Sequence, residues 1–428
     1  MKAIPLLLPL ALLACVACDR KAPTAATPPP AGDAATTHAA PQLRSQPWSL
    51  PATGDAAQPD LVRAPDGSLL LSWMETQGDA HAMKFARFAD GKWSDVREIA
   101  RGSEWFVNWA DTPHIAQTGD GALWAHWLQK SANAKYAYDV ALVRSGDGGA
   151  TWSKPTLVND DGTASEHGFV SLWPAANDRI GIAWLDGRNT ASAHGSGHGG
   201  GHGGHDGTMM LRTAQFDAAL KRHDERELDA DTCTCCQTDA AMTPRGALLV
   251  YRGRTPQEVR DILALRIAPD AKPGPVHADG WVMPACPVNG PAIAATGNDV
   301  LVGWYTAAGD VPTVNLARSA DGGDAFAAPL ALDRGAPVQG RIDVGLDPAS
   351  AWALWLREDD NGQSLQIARF TPDLARELQR GEVAKLQGRG RGTGFAKLAL
   401  ADGNAFVVWT DIVDQRPRLH GAQYTLAP

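Results

Sequence analysis

Four cysteines in the second half of the chain are the side chains best suited to chemistry. Three of them form the segment Cys233-Thr234-Cys235-Cys236, and the fourth is Cys286. In an exported protein disulfides are expected; three pairings are open, and the favoured one joins the triplet to Cys286. The other two cysteines would then pair across one or two residues, which strains a disulfide. Because thiolates also select soft ions such as Cu(I) or zinc, a metal site on the same cysteines is the alternative.

A glycine-rich insertion at 190–207 carries a second set of metal-binding groups. It contains His194, His198, His202 and His205. Free imidazoles on a flexible backbone bind Cu(II), Ni(II) or Zn(II), so the segment predicts metal affinity rather than a metal-dependent reaction. The alternative is a disordered polar loop whose histidines have no specific role.

Arginines from different parts of the chain form a third set. Guanidinium groups bind carboxylates through two parallel hydrogen bonds, so three arginines could surround an anionic group. The alternative is that they pair with neighbouring aspartates of a channel wall. The arginines are Arg188, Arg252 or Arg254, and Arg341, and the aspartates are Asp186, Asp239 and Asp343.

Seven repeats supply the elements that must position these side chains. Each contains a short apolar strand that ends in an aromatic residue before a polar turn, and the aromatic residues are 51 to 67 residues apart. This period predicts an all-β protein, a β-propeller of four-stranded antiparallel blades, with seven blades favoured and six as the alternative. The aromatic residues are Trp73, Trp127, Trp184, Tyr251, Trp304, Trp355 and Trp409.

The order of strands is the same within the repeats. In the fifth repeat, apolar and polar residues alternate at 291–295, 300–304 and 314–318, with Gly297 and Asn298 at the first turn. This pattern is typical of half-buried antiparallel strands joined by tight turns. The last repeat ends after its third strand, so a short strand at 47–50 is expected to complete the last sheet and remove its exposed edge.

Strand order also decides which candidate residues can meet. In a four-stranded blade the start of the first strand and the end of the second lie on one face, which we call the mouth face. An axial ligand site is expected there. Tyr305 follows the second strand of the fifth repeat and is the candidate nucleophile. The other candidates for ligand binding or proton transfer on this face are Asp60, Asp239, His114 and His167.

Two turns carry a recurring motif. They are Ser145-Gly146-Asp147-Gly148-Gly149-Ala150-Thr151-Trp152 and Ser319-Ala320-Asp321-Gly322-Gly323-Asp324-Ala325-Phe326. The aspartate can cap backbone N–H groups, the glycines can take positive φ, and the aromatic residue can fill the gap between sheets. The turns look like Asp-boxes, and over roughly residues 47–428 the chain resembles the sialidase-like, or BNR-repeat, propellers.

The resemblance implies a set of catalytic roles as well as a fold. Sialidases of this family hold the substrate carboxylate with three arginines, use an aspartate as acid and base, and use a tyrosine paired with a glutamate as nucleophile. The family's Arg-Ile-Pro motif is absent, and Arg266-Ile267-Ala268 is the nearest string. Carried over, the roles fall to Arg188, Arg252 and Arg341, to Asp60 or Asp239, and to Tyr305.

Composition and the N-terminus indicate where the protein works. The chain has 428 residues and a net charge of -9, which argues against nucleic acid as a partner. Residues 1–18 resemble a bacterial lipoprotein signal, with Cys15 or Cys18 as the lipidated residue, and an ordinary cleaved signal peptide is the alternative. Residues 19–46 are rich in Ala and Pro and are expected to form a disordered tether. We therefore expect a single propeller at 47–428, lipid-anchored at the periplasmic face or outer membrane.

Three functions remain open from the sequence. The first is a propeller that binds an anionic ligand, a glycan or a metal at its axial mouth. The second is an exo-acting glycoside hydrolase of sialidase type. The third is a periplasmic protein that handles copper or zinc through the histidine insertion and the cysteines. Copper and zinc are thus the only cofactors that the sequence indicates. The sequence does not indicate a protein partner.

Overall fold

The computed structural model describes residues 43–190 and 207–426. The predicted signal peptide with Cys15 and Cys18, the tether up to residue 42, and His194, His198, His202 and His205 lie outside the described residues. Within those ranges no helix has the length and apolar character needed to cross a membrane.

The strands of blades 1 to 3 follow one another along the chain. Blade 1 consists of β2 (Ala56–Arg63), β3 (Leu69–Gln77), β4 (Ala80–Ala89), β5 (Lys92–Trp93) and β6 (Arg97–Gly102), and both β5 and β6 pair with β4. Blade 2 consists of β7 (Ile115–Gln117), β8 (Leu123–Lys130), β9 (Tyr138–Ser145) and β10 (Thr156–Leu157). Blade 3 consists of β11 (His167–Ala176), β12 (Arg179–Asp186), β13 (Met210–Phe216) and β14 (Arg222–Asp229).

Blades 4 to 6 have the same sequential order of strands. Blade 4 consists of β15 (Asp239–Thr243), β16 (Gly246–Arg252), β17 (Ile262–Arg266) and β18 (Gly274–His277). Blade 5 consists of β19 (Ala292–Thr296), β20 (Asp299–Thr306), β21 (Thr313–Ser319) and β22 (Leu330–Arg334), with a short 3₁₀ turn at Ala308–Asp310. Blade 6 consists of β23 (Val338–Leu346), β24 (Ala351–Asp359), β25 (Gly362–Phe370) and β26 (Glu377–Leu386), and a 3₁₀ turn at Gly390–Thr393 follows it.

Blade 7 closes the ring. It contains β27 (Lys397–Ala401), β28 (Asn404–Val413) and β29 (Arg416–Leu426), and its outer strand is β1 (Leu43–Pro47). The N-terminal strand runs antiparallel to β29, with Leu43 opposite Leu426 and Pro47 opposite Ala422. The predicted seven-bladed propeller with an N-terminal closing strand is confirmed, although that strand lies slightly earlier than the predicted 47–50. The pairing removes the free edge of β29.

The core lies between adjacent blades, and the periodic aromatic residues belong to it. All seven are at most 8% exposed. Most also satisfy their polar atom: the Trp73 indole N–H donates to Glu75, the Trp184 N–H to Asp186, and the Tyr251 hydroxyl to Asp229. The period is therefore visible in the sequence because each blade needs one large side chain that both fills the interior and binds a polar partner.

The turn at 145–152 joins β9 to β10 with the hydrogen bonds expected from its sequence. Asp147 accepts hydrogen bonds from the Thr151 backbone N–H at 2.9 Å and from the Ser145 hydroxyl at 2.7 Å. The Trp152 ring packs edge-on against Phe85 of blade 1 with ring centres 5.9 Å apart. The turn thus fixes the contact between two blades.

Alanine substitutions at two glycines of blade 2 test the contact between this turn and Phe85. Gly149 and Gly121 both have φ +84°, but a Cβ at Gly149 would lie 2.3 Å from Phe85 Cζ, whereas nothing lies within 4 Å of one at Gly121. We expect Gly149→Ala to lower the free energy of unfolding by about 3 kcal/mol and Gly121→Ala by only about 1 kcal/mol, because overpacking adds to the cost of positive φ. Urea denaturation measures both, and equal losses would contradict the close packing of this turn.

Candidate functional site

The inner strands surround an axial cavity of about 930 Å³. Its two ends differ in exposure. On the face opposite the mouth face, the lining includes the exposed turn residues Pro65, Ala349 and Asp402. At the mouth face it includes Asp111 and Thr238, which are buried. The cavity is therefore open on the turn face and covered on the mouth face, where the sequence places the ligand entrance.

Loops of distant blades meet over the mouth end. The Trp109 ring, in the loop before blade 2, stacks on Phe395, in the loop before blade 7, with ring centres 5.8 Å apart. The Ala110 carbonyl beside Trp109 accepts a hydrogen bond of 2.8 Å from the Gln237 side chain, which precedes blade 4. One loop therefore contacts the loops of two non-adjacent blades, and these contacts cover the mouth end of the cavity.

Carboxylates near the covered end connect neighbouring blades. In four blades an aspartate at or near the first strand accepts a backbone N–H from the first strand of the next blade. We call these residues the aspartate ring. The bonds join Asp60 to Ile115 (3.0 Å), Asp111 to Phe169 (2.7 Å), Asp239 to Ile293 (2.8 Å) and Asp343 to Leu398 (2.7 Å). Each aspartate therefore has a structural role as well as a place in the cavity wall.

Two basic side chains accompany the aspartate ring in the cavity lining. His114 Nδ1 lies 3.3 Å from Asp60 Oδ1. Lys397 is partly buried, and although burial lowers its pKa, attraction to Asp343, Asp60 and Asp239 raises the pKa above its ordinary value. Lys397 therefore carries a positive charge among carboxyl groups that come from three other blades.

The environment separates the pKa values of the aspartates. Burial raises the pKa of Asp343 to about 7 and also raises the pKa of Asp239. Burial acts on Asp60 in the same direction, but His114 and Lys397 outweigh it, so the pKa of Asp60 is lowered. Near neutral pH the cavity thus holds both an ionised carboxylate and carboxyl groups that retain protons more readily.

A buried acid cluster lies behind Asp111. The Tyr138 hydroxyl donates to Glu166 at 2.7 Å and lies 3.2 Å from Asp111. Burial is the main cause that raises the pKa of Asp111 to about 8 and that of Glu166 to about 7. A tyrosine paired with a glutamate is thus present, but Tyr138 is 0% exposed, so the pair supports the wall rather than facing the cavity.

The pH dependence of stability tests this acid cluster. Asp111 has a folded pKa of about 8 against an ordinary value of 3.8, so between these values the folded state binds a proton that the unfolded state has lost. Stability should therefore fall as pH rises through this window, by on the order of 4 kcal/mol between pH 5 and pH 9. We expect Asp111→Asn to flatten this slope in urea titrations. Asp95→Asn, at an exposed site, should leave it unchanged; an unaltered slope in Asp111→Asn would contradict the assignment.

The predicted arginines do not gather around one site. Among the described residues that line the cavity, Arg188, Arg252, Arg254 and Arg341 are all absent. Arg188 binds Asp186 at 2.7 Å, and Arg254 binds Glu258 at 2.6 Å. Arg341 donates to the Thr393 hydroxyl and to the Gly390 and Gly394 carbonyls. The expectation that three guanidinium groups face one another at the axial mouth does not match this geometry, because backbone carbonyls and local carboxylates already bind them.

Arg252 is the most deeply buried of the four, at 1% exposed. It donates to the carbonyl oxygens of Asn289 (2.8 Å), Arg260 and Tyr305 (2.7 Å). Burial lowers its pKa to about 10. Arg252 therefore remains charged at neutral pH and ties blade 4 to blade 5.

The remaining predicted residues have separate environments. His167 is buried, and its Nε2 lies 3.0 Å from Asp161 Oδ2 and 3.6 Å from Asp186 Oδ1. Arg188 contacts the same two aspartates, so a guanidinium already balances their charge. The Tyr305 ring packs edge-on against Trp281 and is not among the described cavity-lining residues. Only Asp60, Asp239 and His114 of the predicted ligand and proton-transfer residues line the cavity.

The cysteines meet at the mouth face between blades 4 and 5. Cys233 and Cys236 form a disulfide. The thiol of Cys235 hydrogen-bonds with Cys286. The predicted approach of Cys286 to the triplet is therefore present as a contact with Cys235, whereas the disulfide lies within the triplet.

Sequence reasoning missed Asp111, Lys397, Tyr138 and Glu166 as site residues. An aspartate lies within or just before the first strand of blades 1, 2, 4 and 6, and 12 to 16 residues before the periodic aromatic residue of the same blade, at Asp60, Asp111, Asp239 and Asp343. That recurrence was a usable signal for the aspartate ring. No comparable signal marks Lys397, whose role depends on carboxyl groups from other blades.

Comparisons with solved structures identify the class of fold. The chain is similar to polysaccharide lyase Uly1, with a TM-score of 0.52 and 9% identity over 88% of this chain and 90% of the lyase. An α-L-arabinanase of Penicillium chrysogenum in complex with arabinobiose gives a TM-score of 0.45 and 12% identity over 87% of this chain and 93% of the arabinanase. A sialidase of Trypanosoma rangeli gives a TM-score of 0.42 and 12% identity over 77% of this chain and 56% of the sialidase.

These likenesses are distant. No family model matches the chain, and no curated protein matches it in sequence. At 9% identity the similarity to the lyase shows the fold alone. The chain is thus a seven-bladed β-propeller, and its function has to be argued from its own cavity.

Proposed function

We propose that this protein binds a saccharide in its axial cavity. The supporting observation is the aspartate ring, which lies with Lys397 and His114 near the covered end of a cavity of about 930 Å³. Ligand pockets are commonly about 300–1,000 Å³, with a few convergent polar groups on largely apolar walls. The inner strands supply apolar wall residues such as Val170, Ile293 and Val344.

The charges in the cavity favour a neutral, hydroxyl-rich ligand. Sugar hydroxyls donate to carboxylates such as Asp60 and accept from an ammonium such as Lys397. Lys397 is already balanced by Asp60, Asp239 and Asp343. A strongly anionic ligand would have to approach these carboxyl groups without the three converging arginines that the sequence predicts. The proposal therefore differs from an anion site of sialidase type.

Calorimetric titration of the full chain tests this proposal. We expect a neutral tetrasaccharide to bind at one site per chain, while a uronic-acid tetrasaccharide and sialyllactose bind at least about tenfold more weakly. Asp60→Asn retains an oxygen for the Ile115 N–H and removes the charge, and it should weaken binding by about tenfold or more. Asp147→Asn, in a turn between outer strands, is the control. Preference for the acidic sugars, or unaltered affinity in Asp60→Asn, would contradict the proposal.

Hydrolysis of the bound saccharide is a second candidate function. It is favoured by the opposite pKa shifts of Asp60, which is lowered, and Asp239, which is raised. Pairs of carboxyl groups with separated pKa values suit a base and an acid. Turnover of aryl glycosides should then fall about 100-fold or more in Asp239→Asn while saccharide binding persists. If the wild-type protein binds the saccharide without hydrolysing it, the hydrolase function is excluded and the protein is a binding module.

We also propose that the protein is exported and anchored by a lipid on Cys15 or Cys18. The signal-like sequence at 1–18 supports this location, and a disulfide between Cys233 and Cys236 is compatible with an oxidising compartment. Metabolic labelling with a radioactive fatty acid should mark the wild-type chain. Loss of the label in either Cys15→Ser or Cys18→Ser identifies the lipidated cysteine. An unlabelled wild-type chain would contradict the proposed lipid anchor.

A further inference from the structure

The cysteine cluster consists of Cys233, Cys235, Cys236 and Cys286. The sulfur atoms of Cys233, Cys235 and Cys236 all lie within 4.8 Å of one another. Cys233 and Cys236 are joined by a disulfide with Cα atoms 5.8 Å apart. Cys235 hydrogen-bonds with Cys286, which lies before the first strand of the next blade. Sulfur atoms from two adjacent blades are therefore gathered at one place.

Backbone hydrogen bonds hold this cluster in position. The Cys233 N–H donates to the Arg252 carbonyl at 3.0 Å, and the preceding Thr232 N–H donates to the Met209 carbonyl at 2.9 Å. The Val288 N–H donates to the sulfur of Cys235. The triplet is thus fixed to β16 on one side and to the segment that leads into blade 5 on the other. A site whose ligands are placed before binding loses less conformational entropy when an ion binds.

Access and charge both suit a bound cation of low charge. Cys286 is exposed and Cys235 is partly buried, so solvent reaches the cluster from the side of Cys286. Arg252 would attract Cys235, and Arg254 would attract Cys286, once these thiols lose their protons to a bound ion. Two guanidinium groups would then offset the charge of two thiolates. Glu166 adds one acidic group on the same side.

We propose that Cys235 and Cys286 form a thiolate site for one monovalent copper ion, beside the Cys233–Cys236 disulfide. Thiolates select soft ions, and Cu(I) is the softest of the common candidates. Structural zinc needs four protein ligands, whereas the disulfide leaves two thiolates here. Binding replaces two thiol protons by one Cu(I), so each ion bound releases two protons without any change in oxidation state. This site is independent of the axial cavity and of the proposed saccharide.

A direct competitor is a second disulfide between Cys235 and Cys286. It would form by loss of two electrons to an oxidant and would leave no thiol in the cluster, whereas the copper site requires both sulfurs as thiolates. Counting thiols and copper on the same preparation separates the two. Cys15 and Cys18 would add to the count, so both are replaced by serine in the protein used.

The experiment is an anaerobic titration of the full Cys15→Ser/Cys18→Ser chain, without a histidine tag, with Cu(I) in competition with a chromophoric Cu(I) chelator. We expect two reactive thiols in the ion-free protein and one Cu(I) per chain. Cys235→Ser and Cys286→Ser should each weaken copper binding by about 100-fold or more. Replacing His194, His198, His202 and His205 together by alanine is the control, and it should leave the Cu(I) affinity unchanged.

X-ray absorption on the loaded protein supplies a second readout, because it reports ligand type directly. Sulfur scatterers alone are the expected result. Three results would each overturn the proposal. They are an ion-free protein without reactive thiols, loss of Cu(I) binding when the four histidines are replaced, and Cu(I) affinity in Cys286→Ser equal to that of the unsubstituted cluster. Circular dichroism of each variant distinguishes loss of the site from loss of the fold.

Discussion

Arg252→Met is expected to lower the free energy of unfolding by about 4 kcal/mol, the largest effect among the predicted site residues. Methionine retains much of the apolar stem but removes the guanidinium that donates to the Asn289, Arg260 and Tyr305 carbonyls. Arg252 is 1% exposed, so water cannot readily replace these donors. An unsatisfied buried acceptor costs about 1–3 kcal/mol, and several lose their partner together. Urea denaturation at neutral pH measures the loss.

Arg254→Met is the matched control for this substitution. Arg254 lies two positions further along the chain, and its main partner is Glu258, at 2.6 Å on the surface. Surface ion pairs contribute about 0–1 kcal/mol, so we expect a loss in that range. Equal losses in the two variants would show that Arg252 does not connect blades 4 and 5 through these carbonyls. If Arg252→Met is instead as stable as the wild-type protein but has lost saccharide turnover, Arg252 has a catalytic role.

Lys397→Met is expected to destabilise the propeller by about 3 kcal/mol at pH 8. Lys397 is the cation that attracts Asp343, Asp60 and Asp239, and its removal leaves the aspartate ring without that compensation. Lys397→Arg keeps the charge and should recover most of the loss. Thermal and urea unfolding of the three proteins measure the effect, and a loss in Lys397→Arg as large as in Lys397→Met would indicate packing rather than charge.

The pH dependence of the stability of Lys397→Met is a second test of whether the loss comes from charge or from packing. Without Lys397 the folded pKa values of all three aspartates should rise, and those of Asp343 and Asp239 should move further above the ordinary value. An acid whose folded pKa is raised costs stability above its unfolded pKa, and this cost disappears once the group is protonated in both states. The loss caused by Lys397→Met should therefore be largest above about pH 7 and become smaller as the pH falls towards 4, where Asp343 and Asp239 are protonated in the folded state. A loss that is constant with pH would contradict the electrostatic account.

The propeller could be predicted because its constraints repeat. Each blade needs a large aromatic residue such as Trp184 or Trp304 in its second strand, and both are 0% exposed. A requirement that recurs in every blade leaves a period in the sequence. Ring closure by β1 could also be predicted, because the last repeat lacks an outer strand and an open edge at β29 is unfavourable.

The candidate site could be predicted only in part, because its contacts join distant segments. Strand order places Asp60, Asp239 and His114 on the mouth face, and these three residues line the cavity. The convergence of Arg188, Arg252 and Arg341 was not borne out by the geometry, since nothing in the sequence shows which carbonyl or carboxylate an arginine will bind. Strand order placed these arginines on a face but could not give the direction of their side chains.

The covered mouth end depends on loops rather than on repeats. Trp109 and Phe395 lie far apart in the chain, and their stacking over the cavity is a tertiary contact without a local signature. The same holds for Tyr138 and Glu166, whose hydrogen bond joins β9 to the segment before β11. The sequence therefore indicated a ligand entrance on the mouth face, whereas the structure opens the cavity on the turn face.

A crystal structure of the full chain soaked with the neutral tetrasaccharide that binds most tightly tests the central claim most directly. We expect saccharide density inside the axial cavity, with hydroxyl groups within hydrogen-bond distance of Asp60 or Asp239 and entry from the turn face. Saccharide density only on the outer surface of the blades, with the cavity free of sugar, would contradict it.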